Sequence, residues 1–497
     1  MIDSIFSFNA ASWMNTARNH TLLRIDTPLL IMLLIFISNT STSILAQDKK
    51  EAADDATTAI SYYEQVRPIF QANCHGCHQP AKRGGDYEMT SFDHLLSAGE
   101  TGEAAIVPGQ PEKSYLLEQI RVKDGSAEMP KSQKPLAQSD YELIENWIKA
   151  GAIDDSPANT VTTFDMEHPP VYQVPPVITS VDFSPDGKYL AVSAYHEVVI
   201  YTADASAIVA RLVGLSERIE ANVFSPDSKQ IAIAGGSPGR RGEIQIWEIE
   251  SKKLLLSRTE GFDTLYGASW STDGKYVAFG CPDKSVRAID ALTGEQVLFN
   301  GAHNDWVFDT VFAVKNDHIV SVSRDRSMKL FKFDTQRFID NITSITPGAL
   351  KGGLSAVDRH PTKDEVLAGG ADGVPKLYKM YREQDRKIGD DFNLIRPYAA
   401  MAGRIYDVRF NADGSQLVAC SSQDSLGQIR VYQTDDAKQL LNIDVAEGGQ
   451  YSVDFSADGQ RIVAGGFDGQ VRIYETSSGK LLKAFPPVPL EPTTAQK

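Results

Sequence analysis

The chain has 497 residues, 42% hydrophobic and 23% charged, a balance that fits a globular protein of two or three domains and excludes a disordered or fibrous one. A formal net charge of −16 gives no general attraction to nucleic acid or to anionic lipid, so nucleic acid is excluded as a partner. Four cysteines are too few for a disulfide framework, and Cys281 and Cys420, far apart in apolar strand-like runs, read as buried free thiols.

Leu29 to Ile37 is an unbroken run of nine apolar residues, preceded by Arg18 and Arg24 and followed by a Ser/Thr/Asn stretch ending in Ile44-Leu45-Ala46. This three-part layout predicts a secretory signal peptide over residues 1–46, and with it a periplasmic or otherwise exported protein. The run is short of the ~20 residues an α-helix needs to cross a bilayer. An uncleaved N-terminal anchor is the competing reading, and it is the one route to membrane contact. Residues 47–58, polar and rich in Ala, Asp and Lys, read as a linker.

Residues 59–153 carry the pattern of a small all-α domain. Ser61-Tyr62-Tyr63-Glu64 resembles a capping box, Val66, Ile69 and Phe70 follow at helical spacing, and Pro68 either kinks this helix or starts a new one. Next comes Cys74-His75-Gly76-Cys77-His78, the Cys-x-x-Cys-His attachment signature of a c-type haem. Two thiols three positions apart reach one porphyrin edge, and the following His faces the iron as proximal ligand. A redox dithiol would call for a thioredoxin-like βαβ pattern, and a zinc site for a second ligand pair at suitable spacing; neither is present in the sequence. The best candidate for a sixth ligand is Met129, 51 residues after His78 on a polar, Pro-flanked loop, where a soft thioether would favour the reduced iron. Met89, His75 and His94 are the alternatives. Ser139-Asp140-Tyr141-Glu142 suggests a second capping box, opening a helix with an Ile144, Trp147, Ile148 stripe that stops at Gly151.

Val66-Arg67-Pro68-Ile69-Phe70, the Cys74–His78 motif, Gly84-Gly85, Ile106-Val107-Pro108-Gly109, Glu128-Met129-Pro130 and Trp147-Ile148-Lys149-Ala150-Gly151-Ala152 together resemble the planctomycete-type cytochrome c domain. The resemblance implies a class I-like cytochrome c fold with one covalent haem c on Cys74 and Cys77, His78 as proximal and Met129 as distal ligand. Lys131 stands where this family often has a second Pro, a departure that bears on loop rigidity more than on ligation.

After a polar linker over 154–171, the chain repeats itself. Val181-Asp182-Phe183-Ser184-Pro185-Asp186-Gly187 recurs in variant form near Asp227, Asp273, Asp413 and Asp458, with weaker copies at Phe312 to Asp317 and His360 to Asp364; the turn Asp residues lie 41 to 49 apart. Each unit reads as strand, Asp-Gly-type turn, apolar strand, turn and strand. Seven units over 172–487 predict an all-β seven-bladed propeller with a tail at 488–497, and the pattern resembles the WD-repeat propeller. The family's usual dipeptides are degenerate: Trp247-Glu248 and Gly301-Ala302-His303 come nearest. The closing strand is either 161–164 or 481–485. Asp186, Asp273, Asp413 and Asp458 read as turn formers. His196, His303, His318 and His360 share no spacing that suggests a metal site, and Gly235 to Gly242, with Arg240-Arg241, reads as a solvated loop more than a contact point.

The function these features predict is an exported haem c electron-transfer protein whose propeller docks a redox partner or another protein. An oxidoreductase with a second cofactor or an open iron site is the alternative, and a scaffold with a structural or sensory haem is a third reading. No phosphate loop or nucleophile elbow occurs, so no catalytic residue is assigned and an electron carrier fits better than an enzyme.

Overall fold

The repeats fold as they do because their turns close on themselves. In the first, Ser184 Oγ donates to Asp186 Oδ1 (2.7 Å), which also accepts from Lys188 N (3.1 Å), while Gly187 takes the left-handed conformation at φ +72°. Ser225 and Asp227, Ser271 and Asp273, and Ser456 and Asp458 repeat the Ser-to-Asp bond, and Asp413 accepts from Ser415 N. A turn this short forces the next strand back beside the last, so each repeat becomes an antiparallel meander.

The structure is a computed structural model that describes residues 60–79, 82–131, 133–156, 164–344, 351–387, 389 and 391–491, all within one compact unit, Thr58–Lys497. The expected signal peptide, its junction after Ala46 and the 47–58 linker lie outside the described residues. Among the described residues no helix is long and apolar enough to cross a membrane.

Seven four-stranded sheets, each with its strands in sequence order, form the seven-bladed propeller that the repeat period predicted. The innermost strands are Val181–Phe183, Arg218–Phe224, Tyr266–Trp270, Val307–Phe312, Leu354–Arg359, Arg404–Phe410 and Gln450–Phe455. Separate apolar layers fill the gaps between blades: Val192, Val199, Val463 and Ile473 between blades one and seven, and Ile231, Ile233 and Trp247 with Val198 and Ile200 between one and two. Burying such side chains contributes about 1.5–3 kcal/mol each. The degenerate signature residues are structural. Trp247 is fully buried and donates to Gln245 Oε1 (2.8 Å), and His303 bridges Ser321 Oγ (2.7 Å) and Asp325 Oδ2 (3.0 Å).

Blade seven takes its outer strand from the C-terminal segment, Leu481–Phe485, which settles the choice of closing strand; Phe164 lies outside any strand and 161–163 lie outside the described residues. With every blade built from consecutive strands, the ring closes by bonds across its seam. Val181 N donates to Ser452 Oγ (3.0 Å), Phe183 N to Asp454 Oδ2 (2.7 Å) and Ile178 N to Gly466 O (3.0 Å), and Tyr172 pairs in parallel with Leu490.

Residues 60–156 make a smaller layer of short helices and long loops around one core that includes Val66, Phe70, Met89, Ile106, Leu117 and Trp147. A single π-type turn, Tyr62–Val66, leads into α1 (Arg67–Asn73), so Pro68 starts a new helix within its first turn, where its missing N–H is not needed. Ser61 Oγ caps Glu64 N (2.9 Å), but the wider turn passes the reciprocal bond to Gln65, whose Oε1 accepts from Ser61 N (2.9 Å). Helices α2 (Phe92–Leu95) and α3 (Tyr115–Ile120) are brief. The longest, α4 (Gln138–Lys149), starts from Ala137, whose carbonyl receives Asp140 N and Tyr141 N; Ser139 is therefore inside the first turn and caps nothing. The helix stops before Gly151 as its stripe predicted. A two-stranded ladder, His78–Gln79 with Lys82–Arg83, departs from the all-α expectation.

Candidate functional site

Helix α1 delivers Cys74 to its C-terminal cap, where Cys74 N donates to Phe70 O (2.8 Å). Bonds from Cys77 N (3.0 Å) and His78 N (3.1 Å) to Cys74 O then wind the chain into one tight turn. That turn sends the two thiols different ways. Cys74 packs on the helical core, and burial together with the neighbouring Cys77 pushes its thiol up to about 12, whereas Cys77 is exposed.

His78 is oriented from behind. Its Nδ1 lies 3.1 Å from Tyr87 O, and Tyr87 is anchored by its hydroxyl, which donates to Leu95 O (2.6 Å). A carbonyl can only accept, so Nδ1 carries the proton and Nε2 keeps its lone pair, the tautomer a histidine needs to bind a metal. Burial lowers the His78 pKa against the opposing pull of the Tyr87 and Gly84 carbonyls, which favours the neutral ring. Gly84 leaves the ring's flank open: a Cβ there would stand 3.6 Å from His78 Cε1 and 3.0 Å from Cys77 O. Two thiols one turn apart, a neutral imidazole with a free Nε2 and this bare flank fit a covalently attached haem.

Met129 is half-buried against the same core as Cys74 and is held by Met129 N donating to Gln119 O (2.9 Å). It therefore has core to fill although its neighbours in sequence are polar. Of the alternatives, Met89 is fully buried core, and His94 points outward to Glu88 Oε2 (3.1 Å). His75 is buried; burial and then Arg241 and Arg67 hold its pKa well below the usual range.

The attachment turn sits on the outer edge of blade two, strand Lys253–Glu260. A bulge at Leu255 turns its carbonyl outward to accept from Lys82 Nζ (2.7 Å), and Thr259 Oγ1 donates to Gln71 O (3.2 Å). Gly76 approaches so closely that a Cβ there would lie 2.5 Å from Ser257 O. The helical layer thus covers an edge that would otherwise be open to pairing. Arg241, expected in a solvated loop, is buried in the adjoining strand Arg241–Glu248, donates to Leu215 O (2.9 Å) and acts electrostatically on His75. Nothing in the local sequence distinguishes it from Arg240, which stays exposed near Glu217.

The propeller histidines stay apart as their spacing implied: His196 contacts Gly214 O, His318 pairs with Asp317 and His360 caps its own turn. Among the described residues no three His, Cys, Asp or Glu side chains converge as a metal site.

A second feature escaped sequence reasoning. The carboxyls of Asp182, Asp309, Asp358, Asp407 and Asp454, on inner strands, each accept a backbone N–H from the next blade, at 2.7 to 3.1 Å, from Phe224, Val357, Phe410, Val453 and Phe183 respectively. Arg409 lies among them, its pKa raised by Asp407, Asp358, Asp309 and Asp454 against the cost of burial. Burial pushes Asp309 up to about 7 and raises Asp182, Asp407 and Asp454. The signal was present as the Asp between Val and Phe in Val181-Asp182-Phe183 and Val453-Asp454-Phe455.

Residues 74–133 match the family described as planctomycete cytochrome C, and residues 169–201 and 439–475 match the WD domain, G-beta repeat family. The chain is 24% identical over 305 residues to periodic tryptophan protein 2 of Saccharomyces cerevisiae, covering 54% of this chain and 31% of that one. It is 23% identical over 301 residues to the WD repeat-containing protein 26 homolog of Arabidopsis thaliana (59% and 48%). It is 30% identical over 207 residues to eukaryotic translation initiation factor 3 subunit I of Emericella nidulans (39% and 59%). The chain thus spans about a third to three-fifths of the length of these relatives.

Proposed function

We propose that this chain, a planctomycete-type cytochrome c segment joined to a seven-bladed WD-repeat propeller, is an exported one-electron carrier whose propeller docks its partner protein. Cys74 and Cys77 would hold one haem c by thioether bonds, with His78 as proximal and Met129 as distal ligand. When bound, the haem supplies one-electron iron chemistry. The chain's own residues do the rest. The Tyr87 carbonyl fixes the His78 tautomer, Gly84 leaves its flank free, and the Phe70–Trp147 core keeps water from the Cys74 side.

The observation that carries this reading is the His78 Nδ1 to Tyr87 O contact beside the paired thiols, because it prepares the one ring nitrogen that a c-type iron uses. Docking by the propeller is supported by its share of the chain and by the relatives, one of which is by name a subunit of a translation initiation factor. The test is to express the protein with its N-terminal segment in a host that attaches haem c outside the cytoplasm. One covalent haem per chain, and a Met–iron charge-transfer band in the oxidised state that Met129→Ala abolishes, are expected. Chain that is exported and folded without covalent haem overturns the reading, and high-spin iron in the wild type overturns the Met129 assignment.

A further inference from the structure

The electrostatics of the Cys74–His78 turn run against those of the chain. The protein carries a net charge of −16, yet the charged side chains outside the motif that act most on its two histidines are basic: Arg241 and Arg67 on His75, and Lys82 on His78. The buried carboxylate of the neighbouring strap, Glu88, is answered locally, by Arg83 (3.2 Å), His94 Nδ1 (3.1 Å) and the Thr90 hydroxyl (2.8 Å).

Lys82 is fixed from the propeller side. The short ladder sets it opposite Gln79, the residue after His78, and its half-buried side chain donates from Nζ to Leu255 O (2.7 Å). That carbonyl is available because the bulge between Leu254 and Leu256 takes Leu255 out of register with the inner strand Arg241–Glu248. A lysine ammonium on its flexible stem otherwise stays in water, where salt screens its field within about 10 Å. Bonded to a backbone carbonyl, it stays beside the ring. Two further contacts keep the anchor in place: Gly76 lies so close that a Cβ would stand 2.5 Å from Ser257 O, and Thr259 Oγ1 donates to Gln71 O (3.2 Å). Three alternate residues of one edge strand, Leu255, Ser257 and Thr259, thus hold the turn and its cation together.

We propose that the outer strand of blade two is a wall of the haem site, and that its Leu255 carbonyl holds the Lys82 ammonium beside His78 so that this charge raises the reduction potential of the bound haem. The inference rests on the electron-carrier reading and gives the propeller a second role besides docking. Oxidised iron carries one more positive charge than reduced iron, so a fixed cation nearby favours the reduced form. Leu255 is a positioning residue here, since it acts only through Lys82.

The test is a spectroelectrochemical titration of the full-length, haem-loaded protein. Lys82→Gln, at a half-exposed position, should move the equilibrium about threefold to tenfold toward the oxidised form, roughly 30–60 mV at 59 mV per tenfold for one electron. One haem per chain and the Met–iron band should be retained. Lys82→Arg keeps the charge and should stay within about twofold of wild type. Gly76→Ala, which lifts the turn off blade two, should lower the potential with Lys82 present, and adding Lys82→Gln to it should lower the potential less than Lys82→Gln does alone. Hydrogen exchange in Lys253–Glu260 gives a readout independent of haem: it should be several times faster in Lys82→Gln but not in Lys82→Arg. A potential unchanged in Lys82→Gln, an equal fall in Lys82→Arg, full additivity with Gly76→Ala, or unchanged exchange in Lys82→Gln overturns the proposal. A chain without covalent haem overturns the electron-carrier reading and this one with it, and the haem count shows which has happened.

Discussion

The seam between blades seven and one tests the interblade carboxyls directly, because Asp454 Oδ2 holds Phe183 N at 2.7 Å across it. Asp454→Ala leaves that nearly buried N–H without an acceptor, and an unsatisfied buried donor costs about 1–3 kcal/mol. Asp454→Asn keeps an oxygen for Phe183 N and removes a charge that burial, and then Asp182, disfavours. Its stability should lie within about 1 kcal/mol of wild type or above it. The pH dependence has a definite sign. Both carboxyls have folded-state pKa values above the usual range near 4, so the folded chain keeps protons that the unfolded chain releases. Their stabilising contribution is full below about pH 4 and is lost as pH rises through the folded values, about 7 for Asp182. The turn residues Asp186, Asp227, Asp273 and Asp458, whose pKa values are lowered, act in the opposite sense only below about pH 4. Thermal melts between about pH 5 and 8 should therefore show Asp454→Asn gaining on the wild type as pH rises, the buried histidines with lowered pKa values acting in the opposite sense but equally in both, while Asp454→Ala melts roughly 2–5 °C lower throughout. An Asp454→Asn protein as destabilised as Asp454→Ala, or a difference between Asp454→Asn and wild type that does not change with pH over this range, would refute the account.

Gly76→Ala should lift the Cys74–His78 turn off blade two, since the new Cβ would meet Ser257 O at 2.5 Å, at a cost of about 1–3 kcal/mol; faster hydrogen exchange in Lys253–Glu260 is the readout, and unchanged protection counts against the contact. Glu197→Gln should cost about 3 kcal/mol in a chemical melt, because the fully buried carboxylate holds Arg211 (2.5 Å) and the Tyr172 hydroxyl (2.8 Å) near the ring seam. Met89→Ala and Met129→Ala should separate packing from ligation: the fully buried Met89 should cost about 2–5 kcal/mol and leave the oxidised iron spectrum unchanged, whereas the half-buried Met129 should cost less and change it. The reverse pattern would move the sixth ligand to Met89.

The parts legible in the sequence are those with short range. The Ser-Asp-Gly turns, the seven-unit period and the stop of α4 before Gly151 all depend on residues within a few positions of one another. Cys281 and Cys420 were legible as buried thiols because an apolar strand buries whatever it carries. Reading failed where the partner was distant or the local geometry changed by one residue. The reciprocal cap fell to Gln65 because the first turn is wide, and Ser139 lost its cap because α4 begins earlier. Arg241 looked solvated until the attachment turn, more than 160 positions earlier, was found against the same blade.

By itself, then, the sequence determined the Cys-x-x-Cys-His spacing, the number of blades and the turns that fold each one, since covalent spacing and backbone preference set these locally. Only the tertiary structure decided that Leu481–Phe485 supplies the last strand, that Tyr87 O points at His78, that Gly76 rests on Ser257, and that carboxyls from five blades gather around Arg409. Those contacts join residues far apart along the chain, and what selects them is ring closure and the burial of charge, which no stretch of sequence expresses until all seven blades are in place.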